Sequence, residues 1–184
     1  MHRLALILAA VCTVFACSSR GAPESPAAAT HCVPGGEFRA ELFGAVRSEL
    51  EWQGDRLSCE GMPRPRGEGA RLRFAGEIPL QDTMQPLAFI VALPELQAGV
   101  TGRELRATVT LIEEDSGRFF SNAEQDTCWA DITSQQALDE SSLSYAIAGI
   151  VYCVSPLPEL NSNASITIRD LQFAGRVDWR DESS

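Results

Sequence analysis

The sequence predicts an all-β fold, an antiparallel β-sandwich of about eight or nine strands, with a closed β-barrel as the alternative. Apolar residues recur at every second position in most stretches beyond residue 32, which is the period of a half-buried strand. Turns that contain glycine or proline separate these stretches. No stretch keeps a helical period over three turns. Together these three observations favour two packed sheets.

In the first half of the domain, residues 38–52 alternate so regularly that they predict one long strand, with a bend at Gly44 as the alternative. A turn is expected at residues 53–56. The alternation of Leu72, Phe74 and Ile78 with charged residues predicts the next strand. The continuous apolar run 87–93, which ends at a proline, predicts a buried strand.

In the second half, residues 105–111 alternate and predict one strand, followed by a hairpin tip at residues 115–117. Residues 144–154 are apolar on both faces, which predicts a central strand. The alternation in 166–179 changes phase at Arg169 and Asp170, which predicts a β-bulge within one strand. A single helical turn is expected at one of two places, residues 122–126 or 134–140.

Four cysteines follow residue 31, namely Cys32, Cys59, Cys128 and Cys153. Four cysteines in an exported domain predict two disulfides, with three possible pairings. A zinc site is the weaker alternative, because no two of them are at the close spacing of zinc ligands. Pairing the cysteines in sequence order, Cys32 with Cys59 and Cys128 with Cys153, closes two loops of similar length.

The Cys128–Cys153 pairing has support from the flanking pattern. If these cysteines lie opposite each other in a hairpin, Ala130 faces Val151 and Ile132 faces Gly149, which are sensible pairs. Pairing of Cys32 with Cys59 stays open, because it requires the long strand 38–52 to bend.

The N-terminus has the form of an export signal. His2 and Arg3 precede an apolar run at residues 4–16, which is too short to span a bilayer. The run ends in Val14-Phe15-Ala16-Cys17, and over residues 1–19 the chain resembles the signal sequence of bacterial lipoproteins. The resemblance implies cleavage before Cys17, lipid (diacylglycerol and palmitate) on that cysteine, and attachment to the outer membrane of a Gram-negative cell envelope.

These features predict one folded domain on a tether. The predicted order is a signal peptide at 1–16, the lipidated Cys17 and a flexible tether at 17–31, a β-sandwich at 32–180 and a frayed tail at 181–184. The tether is rich in small residues and proline, and about fourteen such residues span about 20 Å.

Composition excludes several function classes. The chain has 25 acidic and 15 basic residues and a net charge of −10, which disfavours nucleic acid as a partner. All the basic residues are arginine, so lysine chemistry is excluded. The only histidines are His2 and His31, so a nucleophilic triad is not expected. We therefore predict no catalytic residues, no metal site and no cofactor.

Trp129 and Tyr152 are the candidate ligand-binding residues. In the predicted hairpin they lie opposite each other, on the face away from the two cysteines. Aromatic side chains on a sheet can stack on a sugar or anchor a protein partner. We nevertheless expect a second layer to cover this face, because its neighbours are also apolar. Trp52 and Trp179 share the apolar faces of their strands and are predicted to lie in the core.

Two charged clusters have weaker functional interpretations. Glu113, Glu114 and Asp115 could ligate calcium, but a solvated hairpin tip is the preferred interpretation. An arginine cluster could bind phosphate groups, but a proline-rich connector followed by a solvated strand face is preferred. Its members are Arg64, Arg66, Arg71 and Arg73.

The sequence thus predicts a lipid-anchored cell-envelope protein that acts as a non-catalytic binding or structural module. Its expected partners are the membrane, through the N-terminal lipid, and an envelope protein or glycan. An envelope hydrolase that uses paired carboxylates is one alternative, and it requires a cleft with two close acids. A carrier of an apolar ligand is the other, and it requires a large apolar cavity.

Overall fold

The computed structural model describes residues 32–65, 68–80, 82–139 and 143–180. Within these residues, the fold consists of twelve strands and one short 3-10 helix, Gly54–Arg56. The seven-stranded sheet contains β1 (Glu37–Gly44), β2 (Ser48–Gln53), β6 (Gly102–Arg106), β9 (Cys128–Ala137), β10 (Ser144–Cys153), β11 (Leu157–Pro158) and β12 (Ser165–Asp178). The five-stranded sheet contains β3 (Ser58–Pro63), β4 (Ala70–Leu80), β5 (Thr83–Leu93), β7 (Thr108–Glu113) and β8 (Arg118–Ser121).

Both sheets are antiparallel and open. The first has the order β2-β1-β12-β10-β9-β6, with β11 paired to the start of β12, and the second has the order β3-β4-β5-β7-β8. The predicted β-sandwich is confirmed, and the closed-barrel alternative is wrong. Among the described residues, no helix has the length and apolarity that a membrane crossing requires.

Aromatic side chains join the two sheets in the core. The ring of Phe38 on β1 lies 5.2 Å from that of Phe74 and 4.7 Å from that of Phe89, both on the opposite sheet. Trp52 stacks on Phe38 and is buried, as predicted, and its indole N–H donates to the Glu77 carbonyl at 3.0 Å. Trp179 is only partly buried and packs against the edge of this core.

The prediction of one strand over 38–52 is wrong, and the bend at Gly44 is confirmed. Gly44 has a φ of 105°, and a Cβ there would lie 2.5 Å from the Ser165 carbonyl oxygen, so glycine is required at this position. The chain folds back, and β1 pairs with β2 so that Phe38 lies opposite Trp52. This return removes the objection to the Cys32–Cys59 disulfide, which the structure contains.

The predicted register of the β9–β10 hairpin is confirmed. Cys128 lies opposite Cys153 and is bonded to it, and Trp129 lies opposite Tyr152. The register continues to the Ile132–Gly149 pair and then shifts by one residue. The Thr133 hydroxyl donates to the Ala148 carbonyl at 3.1 Å at this irregularity. The predicted central position is also confirmed, because β10 lies between β9 and β12.

The prediction of one strand over residues 105–111 is wrong. The chain crosses between the sheets at Ala107, so β6 pairs with β9 and β7 pairs with β5. Alternation continues through the crossing because residues before and after it face the same core. This crossing and the return at Gly44 each divide one predicted strand into two. With β3 and β11, which were not predicted, they bring the number of strands among the described residues to twelve.

The remaining predictions have mixed outcomes. The bulge in β12 is confirmed, with Asp170 at a φ of 51°, and so is the hairpin tip before β8, with Gly117 at a φ of 66°. Residues 122–126 form a tight turn, whereas a helical turn at 134–140 is wrong because β9 continues to Ala137. The predicted signal peptide, Cys17, tether and tail at 181–184 lie outside the described residues.

Candidate functional site

An exposed apolar surface lies on β9 and β10, on the side of the sheet away from the core. We call it the aromatic face and define it by Trp129, Ile150, Tyr152 and Val154. The alternate residues of both strands, such as Val151, are buried, so strand geometry directs Trp129, Ile150 and Tyr152 outward. Val154 directly follows β10 and is also exposed. Exposed fractions are 40% for Ile150, 38% for Tyr152 and 72% for Val154, and Trp129 is half-buried.

Trp129 and Tyr152 form the centre of the aromatic face. Their ring centroids are 6.2 Å apart and their planes are 25° from parallel, so the two rings present one broad surface. The expectation that a second layer covers them is wrong. The described part of the chain leaves Tyr152 and Ile150 exposed, because the five-stranded sheet packs only on the opposite side.

Two carboxylates flank the aromatic face. Asp131 lies opposite Ile150 in the hairpin, on the same side of the sheet. Glu104 lies in an irregularity of β6, where its φ is 53° and its backbone N–H donates to Asp131 Oδ1 at 2.8 Å. A left-handed conformation is unfavourable for glutamate, so this hydrogen bond helps to hold the bulge beside the aromatic face.

The electrostatic effect of these acids reaches Tyr152. Partial burial raises the pKa of the Tyr152 phenol, and the charges of Asp131 and Glu104 raise it further. Arg106 lies opposite Trp129 in the pairing of β6 with β9, but its guanidinium forms an ion pair with Glu95 at 2.9 Å. The aromatic face is therefore apolar at its centre and negatively charged on one side.

Sequence reasoning identified the aromatic pair of this site but not its carboxylates. It placed Trp129 and Tyr152 together, and the alternation of β9 and β10 also contains the signal for Asp131, Ile150 and Val154. Glu104 was missed because its position depends on the bulge in β6. The chemistry available here is stacking, apolar contact and attraction of positive charge. The aromatic face contains no serine, cysteine or histidine, and the pKa of the Tyr152 phenol is raised, which does not activate it as a nucleophile.

The predicted solvated tip at Glu113, Glu114 and Asp115 is wrong for Glu113, which is buried. Glu113 accepts a hydrogen bond from Ser116 at 2.7 Å and pairs with Arg118 at 3.3 Å. No group of three or more metal-ligating side chains occurs among the described residues.

The hydrolase alternative requires two close acids. Glu113 and Glu159 are candidates because both are largely buried and share Arg118 as a partner. Arg118 binds both, and it donates two hydrogen bonds of 3.0 Å to Glu159. The hydrogen bond from Arg118, assisted by Ser162, lowers the pKa of Glu159 to about 2. A general acid requires a raised pKa, so this pair does not suit glycoside hydrolysis.

The arginine cluster is divided among separate partners. Arg64 donates to the Glu68 carbonyl, Arg71 contacts the Met62 sulfur, and Arg73 pairs with Glu114. Arg66 lies outside the described residues. The three described arginines therefore do not converge on one phosphate-sized site.

The carrier alternative requires a large apolar cavity, and the space between the sheets is occupied by the aromatic core. A surface cleft of about 490 Å³ lies beside the β4–β5 hairpin. Its lining includes Asp55, Arg56, Glu77 and Glu114, which do not suit an apolar ligand.

Comparison of this chain with protein-family models, with curated proteins and with solved structures finds no match. The aromatic face is the candidate functional site of this chain.

Proposed function

We propose that this protein is a lipid-anchored binding module of a bacterial cell envelope, and that it presents the aromatic face to an envelope ligand. The observation that carries the proposal is the stacked pair of Trp129, which is half-buried, and Tyr152, which is exposed, on an ordered sheet. Exposed aromatic side chains of this kind are typical of binding surfaces.

The anchor rests on the sequence before the domain. The lipoprotein-like signal assigns Cys17 as the lipidated residue, and residues 18–31 serve as the tether. Two disulfides in the folded domain support export, because such bonds persist in oxidising compartments. Lipid attachment would hold the domain at a membrane without a spanning helix.

A binding role fits the described side chains better than catalysis does. The aromatic face has no serine, cysteine or histidine, and Arg118 pairs with both carboxylates of Glu113 and Glu159.

The aromatic face also lies away from the start of the domain. Glu37, the first residue of β1, is in register with Ala174 and, through it, with Ala148. Tyr152 is four residues farther along β10, about 13 Å away at the rise of a strand.

The anchor is tested by membrane fractionation of the full chain expressed in a Gram-negative host. The wild-type chain should sediment with the outer membrane, and Cys17→Ala should move to the soluble fraction. Cys12→Ala is the matched control, because this cysteine lies inside the predicted signal and should not affect attachment. A Cys17→Ala chain that remains in the outer membrane would contradict the proposed anchor.

The binding role is tested by photo-crosslinking in intact cells. A photoreactive amino acid replaces Val154, the most exposed apolar residue of the aromatic face, in the wild-type chain and in Trp129→Ala. We expect a discrete crosslinked product that Trp129→Ala abolishes. The same probe at Met84, which is 52% exposed on the β4–β5 hairpin, is the control position. Identical products with and without Trp129 would refute a binding role for the aromatic face.

A further inference from the structure

Resting on the proposed function, we infer that the ligand of the aromatic face is a segment of a partner protein that contributes an arginine or lysine side chain between apolar residues. Charge complementarity carries this inference. The ligand-facing surface combines an apolar strip with carboxylates that have no positive partner within the described part of the chain.

The apolar strip suits an extended segment. Ile150 and Tyr152 are alternate residues of β10 and Val154 directly follows this strand, so the three span about 13 Å at the strand rise. Trp129 widens the strip on one side. A short stretch of partner backbone could cover this length and bury its own apolar side chains on the strip.

The carboxylates of Asp131 and Glu104 supply the charge. Neither makes an ion pair with a described arginine. Arg103 is their neighbour in the same irregularity and pairs with neither of them. Arg106 pairs with Glu95 instead.

The aromatic rings of Trp129 and Tyr152 also favour a positively charged group on the ligand. The face of an indole or phenol ring attracts a cation, and a guanidinium also stacks flat on it. Burial is the main cause of the raised pKa of Tyr152, and the negative charges of Asp131 and Glu104 raise it further. The net charge of −10 favours the approach of a basic partner. A second copy of this chain is disfavoured as the occupant, because it would bring the same carboxylates and net charge against themselves.

The test measures peptide binding to the full chain, purified from membranes in a neutral detergent. The probe is a short peptide of alternating leucine and arginine, and its control has citrulline, the neutral isostere, in place of each arginine. Affinities are measured by calorimetry. We expect the arginine peptide to bind about tenfold more tightly than the citrulline peptide. Equal affinities for the two peptides would overturn the inference.

Matched charge variants locate the binding site. Asp131→Asn with Glu104→Gln should weaken binding of the arginine peptide by about tenfold, because the pair of carboxylates is lost. The asparagine keeps an oxygen that can accept the Glu104 N–H. Glu49→Gln with Glu51→Gln removes the same charge on the outer side of β2 and should change the affinity by less than about twofold. Equal weakening in both double variants would show only non-specific attraction and refute the inference.

The two proposals fail separately. A Trp129-dependent crosslink to a glycan, or to a protein segment without arginine or lysine, would overturn the inference and leave the proposed binding role intact. The absence of any Trp129-dependent crosslink, together with peptide binding that Trp129→Ala does not weaken, would overturn both.

Discussion

Asn122 shows how one buried side chain holds the crossing between the sheets. Its Oδ1 accepts the Val109 N–H at 2.7 Å, and its Nδ2 donates to the Ala107 carbonyl at 3.1 Å. Ala107 lies between β6 and β7, and Val109 is the second residue of β7. The asparagine therefore satisfies two buried backbone groups at the crossing.

Replacement of Asn122 should destabilise the fold more than its size suggests. Asn122→Ala leaves the buried Val109 N–H and Ala107 carbonyl without these partners, and we expect a loss of about 2–4 kcal/mol in unfolding free energy. Denaturant titration measures this loss. Asn163→Ala, at an exposed position, is the control and should change stability by about 0.5 kcal/mol or less. A variant of Asn122 as stable as this control would contradict the role given to the amide.

At the scale of elements, Arg118 forms a clamp between the sheets. Arg118 and Glu113 belong to β8 and β7 of the five-stranded sheet, whereas Glu159 follows β11 on the seven-stranded sheet. Backbone pairing of Phe120 with Glu159 and the hydrogen bond from Leu160 N–H to the Phe119 carbonyl reinforce the connection. The charged groups are thus part of the contact that joins the two layers at this end.

The clamp should weaken in acid. The pKa of Glu159 is lowered from 4.5 to about 2 in the folded state, so its contribution is present above the ordinary carboxyl pKa and is lost as the pH falls from there towards 2. We expect Glu159→Gln to be less stable than wild type at neutral pH, with the difference shrinking over this range. Denaturant titrations across the range measure it. Ser162→Ala removes a secondary donor and should keep most of the pH dependence, whereas a constant difference between Glu159→Gln and wild type would contradict the clamp.

For the whole molecule, the two disulfides constrain different parts of the sandwich. Cys128–Cys153 joins neighbouring strands of one sheet, whereas Cys32–Cys59 ties the segment before β1 to β3 on the other sheet. Their sequence separations are similar, 27 and 25 residues. In the chain-entropy view, each therefore restricts the unfolded chain to a similar degree.

Removal of either disulfide should lower stability by a similar amount. Replacing both cysteines of one pair with serine should cost about 3–4 kcal/mol in unfolding free energy, measured by denaturant titration under oxidising conditions. Reduction of the wild-type protein should lower stability by more than either paired replacement. A pair whose removal has no effect would show that its loop is already restricted in the unfolded chain.

Local sequence determined most of the strands and the β9–β10 register. Alternation specifies which side of a strand is apolar, and a hairpin has few registers that pair its apolar side chains. This is why the Trp129–Tyr152 pair and the Cys128–Cys153 bond could be predicted. The change of phase at Arg169 and Asp170 likewise marked the bulge in β12.

Tertiary structure decided where the chain turns between sheets and which faces stay exposed. Alternation continues unchanged through Ala107, because the two sheets on either side of the crossing face one core. It also continues past Gly44, because β1 and β2 present the same side of one sheet to that core. Exposure of Tyr152 and the approach of Glu104 to Asp131 depend on strands that are distant in sequence. The sequence by itself therefore determined the β-sandwich and the aromatic pair, whereas only long-range packing left that pair uncovered beside two carboxylates.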